Sequence, residues 1–258
     1  MPFETLPTSD VRPVLAAINL VKHYPGASEN ALDGLSLQVG EGQIVGLLGP
    51  NGAGKTTAVS ILSTLMRPSA GQLAVMERPV AGHLRPIRQV VGLAPQEIAL
   101  YETLSVRENL TYFGRMYGLK GEGLRARVAD CLEAVGLTTQ ADRPVAIFSG
   151  GMKRRANLAA AIVHAPRLLF LDEPTVGVDA QSRALIMDLL RGLQRDGAAM
   201  VYTTHYMEEV ETLCDRVVIM DAGRIIAEGT PAELRANHPD VDSLGELFLK
   251  LTGRSLRD

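Results

Sequence analysis

The stretch from Gly49 to Thr57 has the residue types and spacing of a phosphate-binding loop. It contains the pattern G-x-x-x-x-G-K-[ST], after an apolar run and before a helix-like segment. Glycines let successive backbone N–H groups point at one anion, and a helix N-terminus adds partial positive charge. We expect Lys55 to bridge the β- and γ-phosphates of a nucleotide and the Thr56 hydroxyl to ligate Mg²⁺. The residues expected to surround the phosphates are Gly49, Pro50, Asn51, Gly52, Ala53, Gly54, Lys55, Thr56 and Thr57.

Two adjacent carboxylates, Asp172 and Glu173, follow a run of four apolar residues. A carboxylate at the end of a buried strand can hold Mg²⁺ through the water shell of the metal, which is the role we expect for Asp172. Glu173 fits a general base that polarises an attacking water. A solvated acid pair is the alternative, but the preceding strand and Pro174 favour a fixed geometry.

A second anion site is predicted where Ser149, Gly150 and Gly151 begin a long helix. Ser149 is a natural N-cap, and the two glycines leave the first N–H groups of the helix open. Lys153, Arg154 and Arg155 follow directly. On these residues alone, a capped helix with a solvated basic patch would be the preferred interpretation.

Hydrophobic periodicity predicts alternating strands and helices around these motifs. Strands are predicted over 15–24, 35–39, 44–48, 71–75, 89–94, 168–172, 198–203, 217–220 and 224–227. Helices are predicted over 56–65, 105–118, 124–135, 150–164 and 180–194, with short ones from 230 and over 244–251. Capping boxes are predicted at the start of two of them, Ser105 with Glu108 and Thr230 with Glu233. The helices between about 97 and 165 interrupt the alternation and predict an inserted helical subdomain. Residues 1–13 are predicted to be an irregular lead-in, and 237–258 a C-terminal extension whose amphipathic helix packs on its own domain, contact with a partner being the alternative.

Composition narrows the class of protein. The chain has 258 residues and a formal net charge of −3, so charge balance suggests no nucleic-acid face. No run approaches eighteen apolar residues, and the first ten residues lack the pattern of a signal peptide. Cys131 and Cys214 lack metal or redox spacing, which favours a reduced cytosolic setting over a disulfide framework.

Six motifs occur in the order found in one family, and together they resemble the ATP-binding subunit of an ABC transporter over about residues 14–236. They are the phosphate loop, Pro95-Gln96, Ser149-Gly150-Gly151, residues 168–173, Val178-Asp179 and Thr204-His205. The resemblance implies an α/β fold, with a P-loop NTPase core, an N-terminal antiparallel β subdomain and an inserted α-helical subdomain.

The resemblance also implies roles for residues that are ambiguous alone. Tyr24 would stack on adenine, although a structural aromatic side chain at the solvent-exposed edge of a sheet is an equal alternative. Gln96 would sense Mg²⁺ and the attacking water. Asp179 would organise the dimer contact, and His205 would touch the γ-phosphate and hold Glu173. Ser149, Gly150 and Gly151 would contact the γ-phosphate that the opposite protomer binds.

The motif around Ser149 departs from the usual Leu-Ser-Gly-Gly-Gln of the family, because Phe148 and Met152 flank its centre. A methionine cannot make the hydrogen bond of a glutamine, but the anion site at the start of the helix is intact. The run Ser-Gly-Gly-Met-Lys-Arg-Arg and the tail from Glu246 resemble the bacterial branch of drug export and nodulation-factor export.

The implied function is ATP hydrolysis that powers transport. The cassette would pair head-to-tail, as a homodimer or hetero-pair, around two Mg-ATP. A separate membrane permease would export a drug, lipid or other small molecule, with the cassette cytoplasmic and peripheral on the inner face of the membrane. The alternative is an ABC ATPase of DNA repair or translation. A G-protein would need a guanine-reading Asn-Lys-x-Asp motif, which the sequence lacks, and a small-molecule kinase would not need the Ser149 motif.

Overall fold

The computed structural model describes residues 13–253. Ten strands and nine α-helices are found in this range. The strands are β1 Pro13–His23, β2 Asn30–Gly40, β3 Ile44–Leu48, β4 Ala70–Val75, β5 Arg78–Pro79, β6 Val91–Ala94, β7 Leu168–Asp172, β8 Ala199–Thr203, β9 Arg216–Asp221 and β10 Arg224–Gly229. The helices are α1 Lys55–Leu62, α2 Val80–Arg88, α3 Val106–Met116, α4 Gly121–Ala134, α5 Gly150–Ile162, α6 Ala180–Arg195, α7 Met207–Leu213, α8 Pro231–Ala236 and α9 Leu244–Thr252.

The strands form two sheets. Strands β9, β3, β8, β7 and β6 are parallel neighbours in a six-stranded sheet, and β10 adds an antiparallel edge. Strands β2, β1, β4 and β5 form a separate antiparallel sheet. Because parallel strands share one direction, their carboxyl ends bring the phosphate loop, Asp172 and Thr203 to the same edge.

Strand β3 is buried on both faces, which explains its uninterrupted apolar sequence. Ile44 and Leu48 belong to the core shared with the helical insert, while Val45 and Leu47 belong to the core shared with the antiparallel sheet. The strand that carries the phosphate loop is therefore held between two hydrophobic layers.

Helices α3, α4 and α5 lie between β6 and β7 in the chain and pack on one another through apolar side chains. Ser105 caps α3 with the predicted capping box to Glu108, and Gly118 has a positive φ just beyond the helix end. The grouping of these helices agrees with the predicted insert, whose treatment as a subdomain stays a prediction.

Some elements differ from those predicted. Helix α1 ends at Leu62 rather than near 65, because Thr64 adopts a positive φ of 68°. Helices α2 and α7 were not predicted: α2 is broken by non-helical backbone at 81–83, and α7 has only seven residues. The predicted lead-in falls on residues 1–12, outside the described range, except that Pro13 begins β1.

The C-terminal helix α9 packs on the rest of the domain. Ser243 caps it by accepting a hydrogen bond from the backbone N–H of Glu246. Leu244, Leu247 and Phe248 are buried in the core, as the apolar stripe indicates. Residues 254–258 of the predicted extension lie outside the described range.

Candidate active site

The phosphate loop joins the end of β3 to the start of α1. The Nζ of Lys55 donates to the carbonyl oxygens of Gly49 at 2.5 Å and Pro50 at 3.0 Å, so the lysine closes over its own loop. Gly54 has φ 99°, and a Cβ there would lie 2.4 Å from the Ala31 carbonyl oxygen. Only glycine fits at this position, because strand β2 runs directly against the loop.

The Lys55 amine lies in the field of both carboxylates at the end of β7. Burial lowers the pKa of Lys55, and the charges of Glu173 and Asp172 act in the opposite direction. The loop lysine and the two acids predicted from separate motifs are thus brought to one site.

Tyr24 stands beside the first turn of α1. Its hydroxyl lies 3.3 Å from Oγ1 of Thr57 and donates to Sδ of Met66 at 3.4 Å. The side chain is 37% exposed, and Nζ of Lys22 approaches the ring to 5.4 Å from the centroid. An exposed ring next to the phosphate loop is compatible with base stacking, which stays a prediction.

Asp172 is positioned by the neighbouring strand. Oγ1 of Thr203, at the end of β8, donates to Oδ1 of Asp172 at 2.6 Å. The same hydroxyl accepts a hydrogen bond from the backbone N–H of Glu173 at 3.1 Å. One buried threonine therefore orients both members of the acid pair, a contact that sequence spacing could not show.

Two motifs that are distant in sequence from Glu173 converge on one of its carboxylate oxygens. Oε2 of Glu173 lies 3.3 Å from Nε2 of Gln96, which donates to it, and 3.5 Å from Nδ1 of His205. Glu173 has φ 49°, an uncommon conformation for a non-glycine residue that turns the chain sharply after Asp172. Gln96, Glu173 and His205 thus form one cluster at the carboxyl edge of the sheet.

The Ser149 motif forms the capped helix start that was predicted. Oγ of Ser149 accepts a hydrogen bond from the backbone N–H of Met152 at 3.3 Å. Ser149 and Gly150 are exposed and Gly151 is buried. Met152 is half-buried and packs against the core, so its side chain fills a packing role.

Asp179 caps α6 and lies against the Ser149 motif. Its carboxylate accepts hydrogen bonds from the backbone N–H of Ser182 at 2.8 Å and from its hydroxyl at 2.9 Å. The backbone hydrogen bond from Ser182 is the main reason that the pKa of Asp179 is lowered. A Cβ on Gly151 would lie 2.9 Å from Oδ2 of Asp179, so the two motifs are in direct contact.

Helix α5 also holds the Gln96 segment, through residues that the sequence analysis did not assign to the site. A guanidinium nitrogen of Arg154 donates to the backbone oxygen of Gln96. Asn157, 4% exposed, donates to the Pro95 carbonyl at 3.1 Å and accepts from the Ala99 N–H at 3.0 Å. In the sequence, Asn157 could have been noticed as an amide side chain on the apolar face of a predicted helix, where a polar residue needs buried partners.

Two absences apply to residues 13–253. In that range no group of three or more His, Cys, Asp and Glu side chains could hold a metal ion. No helix there combines the length and apolar character needed to cross a bilayer.

Comparison with known proteins agrees with this geometry. Residues 32–176 match the family model described as "ABC transporter". The linearmycin resistance ATP-binding protein LnrL of Bacillus subtilis (strain 168) is 46% identical over 221 residues, covering 86% of this chain and 70% of the relative. The Nod factor export ATP-binding protein I of Ralstonia nicotianae is 44% identical over 222 residues, covering 86% and 68%. The chain thus spans about two thirds of the length of these relatives.

Solved structures show the same fold. An ATP-binding subunit of an ABC transporter superposes with a TM-score of 0.85 at 29% identity, covering 93% of this chain and 99% of that one. An ATP-binding cassette solved as a dimer in a post-hydrolysis state with ADP and phosphate gives 0.77 at 27% identity, covering 84% and 98%.

The fold and the motif cluster define a P-loop ATPase of the cassette type. The chain belongs to the ABC transporter family, and it is an ATP-binding, ATP-hydrolysing subunit. The predicted fold class, family and branch are confirmed. The predicted partnership with a second cassette and a separate permease agrees with the dimeric solved structure and with the names of the relatives. These relatives support the transport function and not the alternative of an ATPase of DNA repair or translation.

Proposed function

We propose that two copies of this chain close head-to-tail around two ATP molecules, and that hydrolysis drives a separate membrane permease. The observation that carries the proposal is the convergence of Gln96 and His205 on Oε2 of Glu173. A general base must be held in a fixed position near the nucleophile, and this arrangement restrains Glu173 from two sides.

The phosphate loop binds the nucleotide in this proposal. Backbone N–H groups from Gly49 to Thr57 surround the phosphates, and Lys55 exchanges its present carbonyl partners for phosphate oxygens. Tyr24, at the Thr57 side of the loop, stacks on adenine.

Mg²⁺ fits the oxygen donors that the site offers. Asp172 supplies a carboxylate, and Thr56, an exposed residue of the phosphate loop, supplies a hydroxyl. Gln96 contributes its amide oxygen, which is available because Nε2 makes the contact with Glu173. Mg²⁺ bound there would keep part of its water shell, through which Asp172 would hold it, and it would neutralise the charge that develops on the substrate phosphates.

The Ser149 motif completes the nucleotide site of the other copy. Its exposed helix start offers N–H groups to an anion, and Asp179 packs against it at the same surface. In a head-to-tail pair, Ser149, Gly150 and Gly151 of one copy meet the γ-phosphate held by Lys55 of the other. Asp179, beside the Ser149 motif, organises the contact between the two copies. His205 touches the γ-phosphate from the copy that also supplies Lys55.

The direction of transport and the class of cargo are inferred from relatives. The named relatives are a linearmycin resistance protein and a Nod factor export protein. We therefore propose export of a drug, lipid or other small molecule. The cassette would act at the cytoplasmic face, held peripherally by its permease.

Replacing the base tests this proposal. We expect Glu173→Gln to bind ATP with normal affinity, to lose about 10²–10⁴ in turnover, and to accumulate as a dimer with ATP. Glu133→Gln, at an exposed position on α4, is the matched control. Isothermal titration measures the affinity, steady-state ATPase assays measure the turnover, and light scattering measures the dimer. A Glu173→Gln protein that hydrolyses ATP at the control rate would contradict the assignment.

A further inference from the structure

One buried carboxylate has no role in the site described so far. Glu209, on the first turn of α7, is 4% exposed. Three hydroxyl groups donate to its Oε2: Tyr202 at 2.7 Å, Thr204 at 2.7 Å and Thr175 at 3.0 Å. Burying a carboxylate costs free energy unless hydrogen bonds offset it, and a buried hydrogen-bond network of this kind rigidifies the residues that it joins.

The second oxygen of Glu209 faces a guanidinium from another element. Nε of Arg183, on α6, lies 3.5 Å from Oε1 of Glu209, and neither buried atom has a hydrogen-bond partner among residues 13–253. The Arg183 guanidinium also lies over the ring of Tyr206, 4.6 Å from its centroid. The cluster therefore joins α6 to the loop that leaves β8.

The partners of Glu209 are direct neighbours of the site residues. Thr175 is two residues after Glu173, and Thr204 immediately precedes His205. Oγ1 of Thr204 also accepts a hydrogen bond from the backbone N–H of Tyr206 at 3.1 Å. Thr204 therefore restrains the backbone on both sides of His205. Arg183 is one turn along the helix that Asp179 caps.

We propose that Glu209 is a positioning residue for hydrolysis, which acts through Thr204 to hold His205 against Glu173. It does not contact the nucleotide. Its negative charge attracts Arg183 while its Oε2 accepts from the three hydroxyls, which fixes the β8–α7 loop relative to α6 and to the segment after Glu173. This inference rests on the proposed function, in which Glu173 and His205 act on the γ-phosphate.

The test replaces the charge while keeping the shape. In Glu209→Gln, the amide oxygen can still accept from the hydroxyls, but the amide NH₂ then faces the Arg183 guanidinium, which loses its neighbouring negative charge. We expect kcat to fall about tenfold to a hundredfold, because small displacements of catalytic groups have effects of that size. The KM for ATP and the affinity for a non-hydrolysable analogue should stay within about twofold, since the phosphate loop is untouched. Glu208→Gln, one residue earlier and exposed, should match the wild type.

A double-mutant cycle separates positioning from general weakening. Glu209→Gln added to His205→Ala should lower the residual single-turnover rate little, because the group through which Glu209 acts is already absent. Multiplicative effects of the two changes would contradict the proposal. Thr204→Val keeps the carboxylate but removes one of its donors, and it should also lower kcat. Thr138→Val, at an exposed position in the helical insert, is its control.

The outcomes distinguish the two proposals. If His205→Ala and Glu173→Gln lose turnover while Glu209→Gln and Thr204→Val keep a wild-type kcat, the inference is wrong and the proposed function stands. If His205→Ala keeps a wild-type kcat, the inference falls together with the proposed role of His205.

Discussion

Gly151 and Ser182 touch with no room for a side chain between them: a Cβ on Gly151 would lie 2.6 Å from Oγ of Ser182. The start of α5 and the start of α6 are therefore in contact, and Ser182 is itself bonded to Asp179. It follows that the Ser149 motif and Asp179 share one rigid surface.

Gly151→Ala should disturb that surface. The added methyl group must push Ser182 or α5 aside, which costs about 1–3 kcal/mol of stability by overpacking. We expect a lower thermal midpoint and reduced ATPase activity, with ATP affinity retained because the phosphate loop is unchanged. Gly192→Ala on α6, where a Cβ would meet nothing within 4 Å, should be neutral or stabilising. Equal behaviour of the two variants in calorimetry and ATPase assays would contradict this account.

Thr203→Val should impair hydrolysis without altering the core volume. Thr203 is fully buried, and its hydroxyl bonds both Asp172 and the Glu173 N–H. Removing the hydroxyl leaves Asp172 and the Glu173 N–H without this partner. The unsatisfied groups should lower the free energy of unfolding by about 1–3 kcal/mol. We predict a higher Mg²⁺ requirement and a kcat at least about tenfold lower, measured by magnesium titration of ATPase activity. An unchanged magnesium dependence would argue against the role of Thr203.

Lys55→Ala should abolish nucleotide binding. Its Nζ is aimed across the loop carbonyls of Gly49 and Pro50, where the phosphates are proposed to lie. Isothermal titration with ATP should show no measurable binding, while exposed Lys120→Ala binds normally. Binding by Lys55→Ala with wild-type affinity would rule out the phosphate-loop assignment.

The partly buried imidazole of His164 should make the folded protein less stable in acid. Burial lowers the pKa of His164 to about 4, although its Nε2 contacts the Val91 carbonyl at 2.9 Å, and its ring stacks on Tyr117. A histidine in the unfolded chain has a pKa of about 6.5, so the unfolded chain binds more protons than the folded one between the two values. The free energy of unfolding should therefore fall by up to about 3 kcal/mol as pH drops from 6.5 to 4.

His164→Gln should remove this pH dependence. A glutamine amide can still donate to Val91 but does not titrate, so the slope of unfolding free energy between pH 4 and 6.5 should flatten. His83→Gln, at an exposed position, should keep the wild-type slope in denaturant titrations. Parallel curves for both variants and the wild type would contradict the role of His164.

The sequence predicted the elements whose patterns are local. Strand β3 has the predicted bounds, because five consecutive apolar residues define a strand that is covered on both faces. The caps at Ser105, Ser149 and Thr230 were also predicted correctly, since each depends on residues within one helical turn. The motif order gave the family, and the sheet then placed the motifs at one edge.

The remaining contacts depend on tertiary proximity. No spacing relates Glu209 to Thr175 and Arg183, which meet only because α6 and α7 pack beside the ends of β7 and β8. Helix α7 is too short for periodicity to identify, and Tyr202 was seen only as part of an apolar strand. The individual roles at the site stay predictions that mutation must test.

In the proposed dimer, each nucleotide site is built from two chains. Two inactive variants test it: Lys55→Ala, which loses the phosphate loop, and Ser149→Asp, which keeps a good N-cap but places a negative charge at the proposed γ-phosphate contact. In a mixed dimer, one site combines the intact loop of one chain with the intact Ser149 motif of the other.

The decisive measurement is the ATPase rate of an equimolar mixture of the two variants. Random pairing of a two-fold symmetric dimer should restore about a quarter of the wild-type rate per chain, since about half of the dimers are mixed and each has one intact site. A rate equal to the mean of the two separate variants would contradict the composite site.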